Sequence, residues 1–109
     1  MPRDEDYLAD IVEAAGLVQT YAEGLTRAAL EQDPKSRDAL LHRLLVIGEA
    51  ASKLSDGFRA SRPDVPWRQM IGMRNVIVHQ YGFVDLDVVW LAATRDVPEL
   101  VRLLTGGAP

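Results

Sequence analysis

An all-α fold, a compact antiparallel bundle of four to five helices, is what this 109-residue chain predicts, on three observations. Apolar residues recur at intervals of three and four along most of its length, the period of a helix with one buried face. Period-two alternation never persists, and the β-branched residues cluster inside the helical patterns, so no strand is expected. Most turn and capping signals fall between the periodic runs: Asp33-Pro34, Gly57, Pro63, Pro66 and Gly82.

The first helix runs from Asp4 to about Leu25, with Leu8, Ile11, Val12, Ala15, Val18, Ala22 and Leu25 as its stripe. Asp4, Glu5 and Asp6 suit the positive end of its dipole. Gly16 and Gly24 each weaken it by about 1 kcal/mol relative to alanine. Thr26 to Glu31 forms a further short turn, closed by Asp33-Pro34. A second long helix opens there, with Asp33 as N-cap and Pro34 at the first helical position. Its apolar face is Leu40, Leu41, Leu44, Ile47, Gly48, Ala51 and Leu54, and Gly57 is its stop. Glu49 and Lys53, four apart on this helix, read as a solvated ion pair. Arg59 to Pro66, polar and with two prolines, is a connector. The third helix begins near Pro66-Trp67, turns Trp67, Met70, Ile71, Met73 and Ile77 inward, and stops at Gly82, leaving Tyr81 at its exit. Asp85 caps the next helix, whose stripe is Leu86, Val89, Trp90, Ala93 and Val97. Pro98 either starts a last turn or kinks the existing helix, with Leu100, Val101, Leu103 and Leu104 packing behind it. The tail from about Thr105 to Pro109 is expected to fray.

Length allows one domain, residues 1–109, and a modest core. With 48% hydrophobic and 26% charged residues the chain is globular and not disordered in composition. Cysteine is absent, which removes disulfides, thiolate metal sites and a cysteine nucleophile. The amino-terminus lacks the apolar segment of a signal peptide and no run is long enough to span a membrane, so a soluble, cytoplasmic protein is expected. A net charge of −4 argues against wholesale nucleic-acid binding. Its distribution softens that argument. Between Lys53 and Tyr81, the basic residues Lys53, Arg59, Arg62, Arg68 and Arg74 face only Asp56 and Asp64, so a local basic patch sits on an acidic body.

The chemistry concentrates in Met73-Arg74-Asn75-Val76-Ile77-Val78-His79-Gln80-Tyr81, whose histidine is one of two in the chain, the other being the distant His42. An imidazole moves protons near neutral pH, and a guanidinium holds phosphate oxygens through paired hydrogen bonds. Together they suit cleavage of an RNA phosphodiester by its own 2'-hydroxyl, with no metal or other cofactor required of the chain. Five positions separate Arg74 from His79, which leaves them about 140 degrees apart around an ideal helix. Convergence then needs a loosened helix near Gly82, an arginine that curls around, or a two-fold partner supplying a second copy. Asn75, four residues before His79 and on its side of the helix, is placed to orient either group. On spacing alone the bland reading is the stronger one: a helix-end histidine favoured by the dipole and a surface arginine.

The other constellations have structural readings. Asp85 and Asp87 resemble a magnesium pair but suit a helix cap, and two scattered histidines do not make a zinc site. Trp67 and Trp90 have the spacing of core residues. No nucleophile elbow, Walker loop or dinucleotide fingerprint is present.

The pattern Arg74-Asn75-x-x-x-His79-x-Tyr81 resembles the R-N-x-x-x-H-x-Y motif of the HEPN superfamily, in its HepT-like toxin branch. The likeness extends through Ile47 to Leu54, Pro66 to Met73, Val84 to Trp90 and Asp96 to Leu100, and so covers essentially Tyr7 to Leu104. It implies an all-helical homodimer in which Arg74 and His79 meet across the interface and cut RNA without metal. It also implies a toxin of a type VII-like toxin-antitoxin pair, whose partner is a minimal, MntA-like nucleotidyltransferase antitoxin that uses ATP and magnesium to place AMP on Tyr81. Lys53, Arg59, Arg62 and Arg68 are the candidates for further RNA contact. A reading from another class is a non-catalytic helical module that binds a nucleotidyltransferase and helps hold its nucleotide or substrate.

Overall fold

The computed structural model describes residues 3–106, and among them all regular structure is helical. The helices are α1 (Asp4–Ala22), α2 (Ala29–Gln32), α3 (Pro34–Lys53), α4 (Asp56–Ser61), α5 (Trp67–Gln80), α6 (Leu86–Leu91) and α7 (Val97–Thr105). A wide π-helical stretch, Ala92–Asp96, joins α6 to α7 without a break, so four long rods form the bundle. The frayed tail expected from Thr105 is not found at its start, since Thr105 closes α7 and Gly106 caps it at a left-handed φ of 67°. The rest of that tail, residues 107–109, lies outside the described residues.

α3 occupies the centre, packed on α1 to one side and on α5 to the other. Its register against both is antiparallel. Ser55, just past the end of α3, donates its N–H and its hydroxyl to the Asp4 carboxylate at the start of α1, at 2.8 and 2.6 Å. At the other side, Tyr81 just past the end of α5 reaches Asp38 near the start of α3. Between these pins lies a core of Ile11, Ala15 and Val18 from α1, Leu40, Leu41, Leu44, Ile47 and Ala51 from α3, and Ile77, Val89, Ala93, Val97 and Leu100 from the rest. All of these residues stood on the expected stripes except Leu100, which was placed in the last turn.

The caps follow the sequence at two helices. Asp33 accepts from the Lys35 N–H at 3.1 Å with Pro34 in the first turn of α3, and Asp85 accepts from the Asp87 N–H at 2.9 Å. Trp67 is buried with its indole N–H donating to the Arg62 carbonyl at 3.0 Å, while Trp90 is half-buried.

Three local expectations are corrected. Gly24 does not lie within the first helix; α1 ends at Ala22 and Gly24, at φ 79°, makes the turn that an L side chain resists. Gly57 does not stop the second long helix, which ends at Lys53. Ser55 instead caps the short α4, accepting from the Phe58 N–H at 3.1 Å, and the expected connector therefore begins inside a helix. Gly82 lacks the positive φ of a glycine cap, and α5 ends at Gln80, passing into a 3-10 turn over Tyr81–Phe83. Pro98 stands in the first turn of α7, the first of its two expected readings, although α7 follows the π-helical stretch without a break. A proline ring crowds the carbonyl four residues back, and the wider turn, in which the Val97 N–H reaches the Ala92 carbonyl, relieves that crowding.

α3 and α5 approach closely at Gly48. A Cβ built on Gly48 would lie 2.4 Å from the Arg74 Cβ and 2.5 Å from the Met70 carbonyl oxygen. No rotamer change relieves a clash with backbone, so only glycine permits this spacing. Gly48→Ala is therefore expected to lower stability by about 1–3 kcal/mol, although alanine is the better helix former by about 1 kcal/mol. Urea unfolding measures it, and an unchanged or raised midpoint would mean that the two backbones do not approach so closely.

Candidate active site

Close approach at Gly48 sets where Arg74 sits. With the Arg74 Cα against α3, the next α3 residue, Glu49, stands beside the guanidinium and accepts from its Nε at 2.7 Å. Both side chains are about a third exposed. This hydrogen bond, more than any other influence, holds the Glu49 carboxyl below its ordinary range, against the desolvation that would raise it. The pair is thus closed at neutral pH. Lys53, the partner expected for Glu49, is the looser one, with its ammonium 3.7 Å away. The Arg74 pairing escaped the sequence reading, although a glycine on the apolar face of a long helix was the available signal that another backbone comes close there.

A second hydrogen bond joins the arginine to its neighbour on the helix side that carries His79. Arg74 Nη1 donates to Asn75 Oδ1 at 2.9 Å, so the guanidinium curls around α5 toward the side that carries His79. Of the three routes to convergence, two have a counterpart within a single chain: the Arg74–Asn75 hydrogen bond and the loosening of α5 into a 3-10 turn over Tyr81–Phe83. Glu49 and Asn75 occupy two of the five guanidinium N–H groups, and the remaining donors find no partner among the described residues. His79 is exposed in the last turn of α5, one turn beyond Asn75.

Tyr81 lies farther along the edge that α5 turns toward α3. It is 49% exposed, and its hydroxyl donates to Asp38 Oδ1 at 2.7 Å. Partial burial and the Asp38 carboxylate both disfavour a phenolate and push this hydroxyl's pKa above the ordinary tyrosine value, with Arg37 opposing weakly. Asp38 was not among the sequence candidates. It sits forty-three residues away, and nothing in its own neighbourhood marks it.

The four outlying basic candidates part company. Arg62 is bound through two nitrogens to Asp64, at 3.0 and 2.9 Å, and donates to the Leu103 carbonyl at 2.8 Å, tying the connector to α7. Arg59 is held by Asp56 at 2.6 Å and by the Ala51 carbonyl at 3.3 Å. Lys53 leans on Glu49, as above. Arg68 is exposed and makes no hydrogen bond or ion pair among the described residues. His42 is exposed. Of the acidic pair read as a possible cation site, Asp85 caps a helix and Asp87 accepts from Arg27 Nε at 2.7 Å. Among the described residues no three metal-binding side chains gather, and no helix is long and apolar enough to cross a membrane.

Beside this site the surface is apolar. Val76, Phe83, Val88 and Leu91 are exposed, Phe83 by 90%, and they line a shallow groove between α5 and α6.

A family model described as "Ribonuclease HepT-like" matches residues 11–105. A protein of Thermococcus cleftensis named "Probable ribonuclease HepT" is 34% identical over 96 residues, covering 88% of this chain and 87% of that one. "Putative RNase MJ1380" of Methanocaldococcus jannaschii is 32% identical over 96 residues and 88% of both chains. "Putative RNase TTE0752" of Caldanaerobacter subterraneus is 29% identical over 102 residues, 94% of this chain and 91% of the relative. No solved structure matches.

The Tyr81 contact gives a pH test. The Tyr81 ring is expected to ionise at higher pH than an ordinary tyrosine, and Asp38→Asn, by removing the facing charge, is expected to bring it back down. NMR of ring-labelled tyrosine follows each of the three rings. A Tyr81 that titrates identically in both proteins would show that Asp38 does not hold it.

Proposed function

Since this chain belongs to the Ribonuclease HepT-like family, we propose that it is an RNA endonuclease whose chemistry is done by Arg74 and His79. The observation that carries the reading is the guanidinium drawn by Asn75 around to the His79 side of α5 with donors to spare. In the reaction, the 2'-hydroxyl attacks its neighbouring phosphorus, an O–P bond forms, and the bond to the 5'-oxygen breaks. Histidine takes the proton from the 2'-hydroxyl or delivers one to the departing 5'-oxygen. Arg74 holds the negative oxygens of the phosphorane, and Glu49 and Asn75 fix its fork before substrate arrives. The products are a 2',3'-cyclic phosphate and a 5'-hydroxyl, and the scheme uses no metal.

A homodimer completes the site in this reading. Two-fold pairing over Val76, Phe83, Val88 and Leu91 would remove exposed apolar surface beside α5 and bring a second histidine to the groove, so that one imidazole acts as base and the other as acid. Purified, unmodified protein is expected to cut RNA in EDTA, and His79→Ala to lose at least about a hundredfold in rate. Equal decay with wild type and variant would remove the catalytic claim and favour the non-catalytic module.

Regulation is read as AMP transfer from a minimal nucleotidyltransferase antitoxin, the partner of a type VII-like pair. The Tyr81 oxygen would attack the α-phosphorus of magnesium-bound ATP and pyrophosphate would leave. Asp38, at 2.7 Å, stands where the phenolic proton can go. The attached phosphodiester could not keep the Asp38 bond, because the donating hydrogen is lost and two anions would face each other. Arg74 lies two turns back along the same edge, and its free donors suit the displaced phosphate. With ATP, magnesium and the partner, intact mass is expected to rise by one AMP in wild type and not in Tyr81→Phe; a rise that survives in the variant would move the modified residue elsewhere.

A further inference from the structure

Four residues of α5 share one outward stripe: Arg68, Gly72, Asn75 and His79, spaced four, three and four apart. At its upper end the stripe opens into a cleft walled by Arg68, Ile71, Gly72 and Asn75 from α5 and by Arg59 and Ala60 from α4, with Trp67 at its base. Gly72 leaves a gap there, for a Cβ built on it would meet nothing within 4 Å. No acidic side chain lines the cleft. The cleft therefore combines the unpaired guanidinium of Arg68 with the side chains of Arg59 and Asn75, on the same helix stripe that carries His79.

We infer that this cleft is a binding subsite for single-stranded RNA, in which Arg68 holds a backbone phosphate a few nucleotides from the one cut at His79. For its substrate class the inference rests on the ribonuclease reading. The spacing follows from the helix. Eleven residues at about 1.5 Å each put Arg68 and His79 about 16 Å apart along the axis. A strand stacked as in a duplex advances about 3.4 Å per nucleotide, and a stretched strand more, so that distance spans several phosphates. The free charge separates Arg68 from its neighbours, since Arg62 is consumed by Asp64 and Leu103, and Arg59 is anchored by Asp56 and Ala51.

The test is equilibrium binding, independent of cleavage. A fluorescent 2'-O-methyl RNA of about ten nucleotides, long enough to reach both ends and unable to attack its own phosphate, is titrated against wild type, Arg68→Ala and Arg68→Lys at several salt concentrations. Arg68→Ala is expected to bind about fivefold more weakly near 0.1 M salt. Its dependence of log affinity on log salt should be shallower by about 0.7, the share of one phosphate on a single strand. Arg68→Lys should recover most of the loss, and the three proteins should converge when the probe is shortened to a dinucleotide. Equal affinity and equal salt slope in wild type and Arg68→Ala would overturn the subsite, as would a loss that persists on the dinucleotide. Cleavage of the unmodified RNA is followed in parallel. Arg68-dependent binding without cleavage would sink the ribonuclease reading and leave the subsite, whereas cleavage with Arg68-independent binding would do the reverse.

Discussion

At Gly48 the backbones of α3 and α5 come so close that no side chain fits between them, and the placement of every candidate functional group follows from that contact. It sets the register of two antiparallel helices. With Gly48 against Met70 and Arg74, the next residue on α3 is the acid that binds Arg74, and Asp38, ten residues earlier, falls opposite Tyr81 beyond the end of α5. A larger spacing would leave Arg74 as one more solvated arginine. Here the close contact sinks its base between helices while its tip stays accessible, which is the condition for a guanidinium to be both oriented and available.

α5 consequently has two working edges. The one facing α3 carries Arg74 and Tyr81, each answered by a carboxylate from α3, and the outward one carries Arg68, Asn75 and His79. Asn75 joins them by accepting from Arg74. Because the Glu49 carboxyl is held below its usual range, the ion pair contributes to stability above the ordinary glutamate pKa, and that contribution fades only as pH falls through the lowered value. At neutral pH the arginine is held at Nε by Glu49 and at Nη1 by Asn75, and its other donors have no partner among the described residues.

The charge balance of the chain acquires a meaning that the net value of −4 hides. Arg27, Arg59, Arg62 and Arg102 are each bound to nearby carboxylates, so most of the acidic excess lies where it neutralises structural cations or faces solvent. Among the described residues Arg68 on the outward edge of α5 has no ion pair, as is also true of Lys35, Arg37 and Arg43 on α3. The apolar residues Val76, Phe83, Val88 and Leu91 border that edge, so a polar stripe and an uncovered apolar surface lie side by side.

Helix content, the core stripes, the Asp33 and Asp85 caps and the cluster around Arg74 were all legible in the sequence, because each depends on residues within a turn or two of one another. Three of the glycines were misread, and for one reason: a glycine signals permission, and only the neighbouring elements reveal whether it is used for a turn, as at Gly24, or goes unused in that sense, as at Gly57 and Gly82. Pro98 opens α7 as expected, but the π-helical widening before it, which carries the chain on without a break, was hidden. By itself, then, the sequence determined that this is a helical bundle and that Arg74, Asn75, His79 and Tyr81 share one helix end. Tertiary structure alone decided that Glu49 and Asp38 answer them and that Arg62 reaches the Leu103 carbonyl, because such contacts depend on how elements twenty-five to forty-three residues apart are set against one another.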